Sequence, residues 1–272
     1  MSAAPILVNG QPSGEMVFSV NSPTIQRGDG CFEVMRVYGG HPFEAGPHLD
    51  RLERSARMLD LQTPDRADLD SWVEQVAAHG PEGLVRVMLG RGQKPGDELC
   101  VVMWHDVPHR ADRIRLRVMT APWHSAGHKW DLAGGKTLSY APNMAATRRA
   151  VRDGYDEALL TSEDGTVLEG PVFSVAWVCD GVFETPSLDL WILDSITRRV
   201  VLEVVSDLDI PCREGRFDLD RMLGADEAMV IGTTREITPI VQLDDRHYRA
   251  GPVTARLIAG FKRRIQQAID GS

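Results

Sequence analysis

The sequence predicts a mixed α/β (α+β) chain in two domains, and three observations carry that expectation. Apolar residues recur at helical spacing between short strand-like runs up to about residue 120. A long irregular stretch rich in Trp, His and Gly, from Thr120 to Gly135, then interrupts the pattern. Beyond it, two Asp-Gly pairs sit between apolar runs, a strong signal for tight hairpins.

Each element follows from its own residues. Ile6-Leu7-Val8 before Asn9-Gly10 predicts a strand entering a tight turn, and Cys31 to Tyr38 predicts a second strand ended by Gly39-Gly40. Leu49, Leu52, Ala56 and Leu59 recur at helical spacing between Pro47 and Leu61. Leu69, Trp72, Val73 and Val76 do so before His79-Gly80. Strands are expected at Leu84 to Leu89, Leu99 to Trp104 and Ile114 to Met119; the last alternates Ile, Leu and Val with Arg115 and Arg117. These place the first α+β domain at residues 1–120 and a connection at 121–135. In the remainder, 136–272, a helix is expected from Asn143 to Arg152. Two hairpins follow, turning at Asp164-Gly165 and Asp180-Gly181. A helix runs from about Thr197 to Asp207 with Asp194 or Ser195 as cap, and Val253, Leu257, Phe261 and Ile265 mark a closing helix.

Composition narrows the function classes. The 272 residues carry a formal net charge of −9, which argues against a general binder of nucleic acid or anionic membrane but leaves room for a local basic pocket. Cys31, Cys100, Cys179 and Cys212 are scattered with no metal-like spacing, so buried free thiols in a reducing compartment and no metal site are expected. The N-terminal stretch lacks the pattern of a signal peptide and no apolar run reaches membrane-spanning length, so a cytoplasmic protein is expected.

Several residues have settings that suit chemistry. Lys136 follows two glycines and precedes Thr-Leu-Ser-Tyr-Ala-Pro-Asn-Met; a lysine among small and apolar groups loses its proton more easily. Taken alone, such a loop lysine is usually solvated. Glu169 ends a hairpin strand and points inward if the alternation of Val167 continues, where a carboxylate needs a partner. Ser195-Ile196-Thr197 precedes a helix, a favourable place for a phosphate, and Gly232-Thr233-Thr234 follows the apolar run Ala228 to Ile231. Taken alone, ordinary capping or turn chemistry is the usual account of either.

The order of these residues is more specific. Asp29-Gly30-Cys31-Phe32-Glu33 and His48-Leu-Asp-Arg51-Leu52 are followed by Lys136, Asp156-Glu157-Ala158-Leu159-Leu160 and Glu169-Gly170. Thr185-Pro186, Ile196-Thr197-Arg198 and Gly232-Thr-Thr-Arg-Glu-Ile-Thr-Pro239 complete the series. From about residue 7 to 265 the chain resembles the class IV aminotransferase family, the fold-type IV enzymes of pyridoxal 5′-phosphate (PLP). The resemblance implies a D-amino acid aminotransferase-like fold of two α/β domains with PLP in the cleft, the larger C-terminal domain binding the cofactor. Members are usually homodimers acting on a small amine or amino acid. It implies that Lys136 is the Schiff-base lysine and proton shuttle, and that Glu169 pairs with the pyridine nitrogen. Arg51, Ile196, Thr197, Thr233 and Thr234 would hold the phosphate, and Tyr140 would line the hydroxyl side. Ser174 departs from the usual asparagine five residues after the glutamate, which puts its cofactor contact in doubt. Phe32 and Arg91 are the candidates on the substrate side, Arg91 having a structural ion pair as its alternative role.

Family membership leaves the reaction open, because PLP stabilises the carbanion and the protein selects the bond that breaks. Lys136 to Met144 and Glu169 to Ala176 resemble the aminodeoxychorismate lyase-like branch, which releases p-aminobenzoate and pyruvate in folate biosynthesis. Glu236-Ile-Thr-Pro239 and Phe32-Glu33-Val34 are shared with aminotransferases of D-amino or branched-chain amino acids. The Arg-x-His carboxylate clamp of a D-alanine-type transaminase is missing after Arg91-Gly92, where the chain reads Gln93-Lys-Pro-Gly-Asp-Glu98.

Overall fold

The computed structural model describes residues 4–15, 19–94 and 96–271, so the first three residues of the N-terminal stretch and Pro95 lie outside the described residues. Two compact units result: residues 1–108, 135–140 and 265–272 form one, 109–134 and 141–264 the other.

The first unit begins with the hairpin β1 (Ile6–Val8) and β2 (Gln11–Pro12), joined by Asn9 and Gly10 at φ of 46° and 78°. Paired positive φ values of this kind suit an Asn-Gly turn. A short helix α1 (Pro23–Arg27) leads to β3 (Gly30–Tyr38) and β4 (His41–Pro42). Helices α2 (Ala45–Met58) and α3 (Arg66–Ala77) follow, then β5 (Glu82–Gly90) and β6 (Leu99–His105). The sheet runs β2-β1-β6-β5-β3-β4 with antiparallel neighbours. One face of it, Met35 and Val37 of β3 with Val85, Val87 and Leu89 of β5, packs on Leu49, Leu52 and Ala56 of α2 and Leu69, Val73 and Val76 of α3. The period-two alternation therefore sends Phe32, Val34, Leu84, Arg86 and Met88 to the opposite face.

Residues 136–138 add to the start of β3: Cys31 bridges Thr137, Phe32 N–H donates to the Lys136 carbonyl (3.1 Å) and Leu138 N–H to the Gly30 carbonyl (2.8 Å). Gly30 is required here, because a Cβ would lie 2.6 Å from the Leu89 carbonyl oxygen and 2.7 Å from Leu138 Cδ1.

The second unit contains β7 (Ile114–Thr120), α4 (Ala141–Arg152), β8 (Glu157–Thr161), β9 (Ser174–Cys179) and β10 (Val182–Pro186). It continues with α5 (Ile196–Asp207), β11 (Cys212–Gly215), α6 (Leu219–Leu223), β12 (Glu227–Gly232), β13 (Glu236–Leu243) and β14 (Arg246–His247). Helix α7 (Pro252–Asp270) closes the chain; its residues up to Arg264 group with this unit and those from Ile265 with the first. The sheet runs β11-β10-β9-β12-β13-β7-β8, with β14 on β13. Helix α5 buries Ile196, Val200, Val201, Val204 and Val205, so packing rather than intrinsic preference sustains this β-branched helix.

Three expectations change. Strand β7 has the alternation anticipated for it, but it pairs in parallel with β13 and β8, so the unit that holds it begins at His109 rather than after residue 120. Alternation shows that a strand has two unlike faces and is silent about its distant partners. Residues 166–168 return along β8 through the single bridge Thr161–Val167 and the bond from Leu168 N–H to the Leu160 carbonyl (3.0 Å), without forming a regular strand. Cys31, Cys100 and Cys179 are buried, whereas Cys212, on the edge strand β11, is exposed. Among the described residues no helix is long and apolar enough to cross a membrane.

Candidate active site

In the first unit the main chain of Lys136 is fixed from both sides. Its N–H donates to Ser55 Oγ of α2 (3.0 Å) and its carbonyl accepts from Phe32 of β3 (3.1 Å). The side chain passes over Phe32, with Nζ 4.4 Å from the ring centroid, and donates to Tyr140 Oη at 3.3 Å. Phe32 and Tyr140 meet edge to face with centroids 5.2 Å apart. Lys136 forms no ion pair with a carboxylate among the described residues; its ammonium has two aromatic faces and one phenol for company. Phe32, Lys136 and Tyr140 are thus brought together as one group.

Arg51 lies deeper, 3% exposed, and donates through Nε to Glu33 Oε1 (2.6 Å) and through Nη2 to Oε2 (2.8 Å). His48 Nδ1 completes the cluster at 2.8 Å from Glu33 Oε2. Burial alone pushes the Glu33 carboxyl up, but the Arg51 charge and the hydrogen bonds from Arg51 and His48 override it and hold it down to about 2. Burial likewise pushes His48 down, so the neutral ring donates its Nδ1 proton to Glu33. Glu33 therefore fixes the plane of the Arg51 guanidinium.

Arg91 does not fit the substrate-side role expected of it. Its Nε donates to Asp29 Oδ2 (2.7 Å), and its terminal nitrogens go to the carbonyls of Leu59 and Asp60 beyond the end of α2. All three nitrogens serve the fold. Arg86, by contrast, has capacity unspent. It stands over the Phe32 ring at 5.3 Å, burial lowers its pKa, and its buried Nε has no hydrogen-bond partner. It falls inside the strand expected at Leu84 to Leu89, with no role assigned to it from the sequence. The overlooked signal is that Leu84 and Met88, its neighbours on the same face, are apolar, so this face is not plain solvent.

In the second unit Glu169 follows the returning residues 166–168 and its side chain is largely covered. Leu193 N–H donates to its two oxygens at 3.3 and 3.2 Å, and His124 Nε2 lies 3.4 Å from Oε1. Leu193 stands just before Ser195, the N-cap of α5, which accepts from Arg198 N–H at 3.3 Å. Ile196 and Thr197 open the helix, where backbone N–H groups lack intrahelical acceptors. Ser174 begins β9 opposite Ile231 of β12, and Thr233 and Thr234 form the turn between β12 and β13. Ser174 Oγ is buried and has no partner. Burying an unpaired hydroxyl costs about 1–3 kcal/mol, which a ligand atom would recover.

Each unit holds groups that suit a phosphorylated pyridine aldehyde: the first an amine free of ion pairing among the described residues, the second an orphaned hydroxyl, helix-end N–H groups and a carboxylate with acceptor capacity in reserve. Residues 30–243 match the family description "amino-transferase class IV". The chain belongs to the class IV aminotransferase family. Members of it are PLP-dependent enzymes, and PLP is the cofactor of this one. The aminodeoxychorismate lyase of Bacillus subtilis is 29% identical over 256 residues, covering 89% of this chain and 87% of its own. The D-alanine aminotransferase of Listeria monocytogenes is 31% identical over 260 residues, 89% of each chain. A hypothetical aminotransferase from Mycobacterium tuberculosis, solved in a PLP-bound form, superposes with a TM-score of 0.91 at 26% identity, over 97% of this chain and 100% of its own.

Proposed function

We propose that this class IV enzyme is a 4-amino-4-deoxychorismate lyase that forms p-aminobenzoate and pyruvate, with Lys136 bearing the PLP and Glu169 facing its ring nitrogen. The observation that carries the reading is the group around Phe32. Lys136 and Arg86, whose Nε has no hydrogen-bond partner among the described residues, both lie on that ring, and Tyr140 packs on its edge. A flat cyclic substrate with a carboxylate remote from its amine suits such a set: a ring to stack, and a cation with an empty donor.

Bound PLP supplies an electron sink for the bond that breaks. Lys136 Nζ, steered by Phe32 and Tyr140, removes the proton at the ring carbon bearing the amine; the ring C–O bond to the enolpyruvyl group breaks as the ring becomes aromatic, and a proton returned to the methylene of the departing fragment makes it pyruvate. Tyr140 Oη accepts from that amine in the free protein and so orients it. Arg51, its plane set by Glu33, contributes to phosphate binding with the N–H groups of Ile196 and Thr197 and the hydroxyls of Thr233 and Thr234. Ser174 offers a hydroxyl to the cofactor in place of the family's asparagine. A homodimer in the cytoplasm, with a role in folate biosynthesis, belongs to the same reading.

The alternative is an aminotransferase of branched-chain or D-amino acids, favoured by the 31% identity to D-alanine aminotransferases. Arg86 would then take the distal carboxylate of a dicarboxylic partner. The purified protein should show a visible absorbance that borohydride abolishes and Lys136→Ala lacks, with activity down about 10²–10⁴-fold. Fluorescent p-aminobenzoate from 4-amino-4-deoxychorismate supports the lyase. Turnover only with amino donors and a 2-oxo acid would replace it by the transaminase.

A further inference from the structure

His124 belongs to the irregular stretch before Lys136, and its imidazole has a defined tautomer. Ala126 N–H donates to Nδ1 at 3.2 Å, so Nδ1 carries a lone pair and the ring proton sits on Nε2, directed at Glu169 Oε1 3.4 Å away. The backbone is bent to make this contact. Ala126 adopts φ +48° and Gly127 φ +98°, and a non-glycine residue in the left-handed region costs about 1–2 kcal/mol.

The surroundings hold the bend in place. Arg216 Nη2 donates to the Ala126 carbonyl (2.9 Å) and Gly127 N–H to the Leu190 carbonyl (3.1 Å). Trp123 Nε1 bonds Asn143 Oδ1 (3.0 Å), whose Nδ2 bonds the Pro171 carbonyl (3.0 Å) just past Glu169. Ala126 itself packs on Leu168, Leu190 and Ile192. That small core thus joins three segments: the one carrying His124, the one ending in Glu169, and the one whose next residue, Leu193, donates its N–H to Glu169.

We infer that His124 is a positioning residue: its neutral Nε2–H orients Glu169 toward the ring nitrogen of PLP without cancelling the carboxylate charge that the nitrogen needs. A lysine or arginine in its place would compete with the ring for that charge. The inference rests on Glu169 facing the ring nitrogen, and its test separates the two claims.

Apoprotein is titrated with PLP and with its 1-deaza analogue, in which a C–H replaces the ring nitrogen, and affinities are read from absorbance. His124→Ala weakens PLP binding about tenfold and the analogue by less than about twofold. His124→Gln, which returns an N–H near the Nε2 position, recovers most of the loss, and thermal melting of the apoproteins reports their folding. Glu169→Ala must show the same selectivity for PLP. If it does and His124→Ala weakens both ligands alike, or Gln gives no recovery, the positioning role is overturned alone. If Glu169→Ala also fails to discriminate, the assignment of Glu169 falls and takes the inference with it.

Discussion

Glu33 in the first unit and Glu169 in the second are both withdrawn from solvent, and their oxygens are filled very differently. Glu33 takes two guanidinium donors and an imidazole at 2.6–2.8 Å and is fully buried. Glu169 has one backbone N–H and one imidazole at 3.2–3.4 Å, and no lysine or arginine partner among the described residues. Two other buried glutamates side with Glu33. Glu227 accepts from Val253 N–H (3.1 Å), Thr254 N–H (2.7 Å) and Thr254 Oγ1 (2.6 Å) at the start of α7. Glu184 is ringed by Trp177, Arg213 and Arg221. Saturated carboxylates tie segments of the fold together, while a carboxylate with long, neutral contacts keeps capacity for something else.

The largest effect that can break this comparison is on stability. Glu33→Gln leaves Arg51 buried without its counter-charge and should cost about 3–5 kcal/mol in urea unfolding of the apoprotein. Glu169→Gln should cost no more than about 1 kcal/mol. Comparable losses at both sites would erase the distinction. The pH dependence has a definite sign. His48 and Glu33 both have lowered pKa values in the folded chain, so both favour the native state at high pH. Stability is complete above the ordinary histidine value of 6.5, falls below it as His48 resists protonation, and falls again from 4.5 toward about 2 as Glu33 does. In Glu33→Gln the lower of these two steps should disappear.

Arg86 sharpens the same contrast from the side of the cations. Arg51 and Arg91 have spent donors on Glu33 and on Asp29 with two carbonyls, whereas the buried Nε of Arg86 is unmatched. Arg86→Leu should leave the apoprotein as stable or more so, since it removes a half-buried unpaired charge. It should raise KM for a carboxylate-bearing substrate about ten- to a hundredfold, the worth of one charge-assisted hydrogen bond. An unchanged KM would remove Arg86 from the substrate side.

How far the sequence carries depends on the range of the interactions. Helices α2, α3 and α5 and strands β3, β5 and β6 were legible because their apolar periods are local. The motif order picked out Lys136, Phe32 and Tyr140, which the fold groups together, and Glu169, Ser174 and Thr233 in the other unit. Arg91 looked available because its partners are scattered: Asp29 precedes it by a whole helical layer, and the Leu59 and Asp60 carbonyls carry no side-chain signature. Arg86 carried no signal, because alternation distinguishes two faces but not what lies against each. The fixed tautomer of His124 depends on the left-handed turn at Ala126, a residue with no intrinsic preference for it.

Ser174 offers the smallest and most local test. On the adjacent strand β10, Thr185 donates its hydroxyl to the Val175 carbonyl at 2.8 Å, whereas Ser174 Oγ, also buried, has no partner among the described residues. Ser174→Ala should therefore stabilise the apoprotein by up to about 1 kcal/mol, the orphaned hydroxyl being removed at little cost in packing. PLP affinity should fall severalfold if, as proposed, the cofactor satisfies the hydroxyl. Ser174→Asn, restoring the residue usual in the family, is larger and should preserve affinity only if the space beside Oγ belongs to the ligand. Apoprotein that loses stability in Ser174→Ala, with affinity unchanged, would make Ser174 a structural residue after all. Glu169 would then lack its nearest counterpart as a polar group held in reserve.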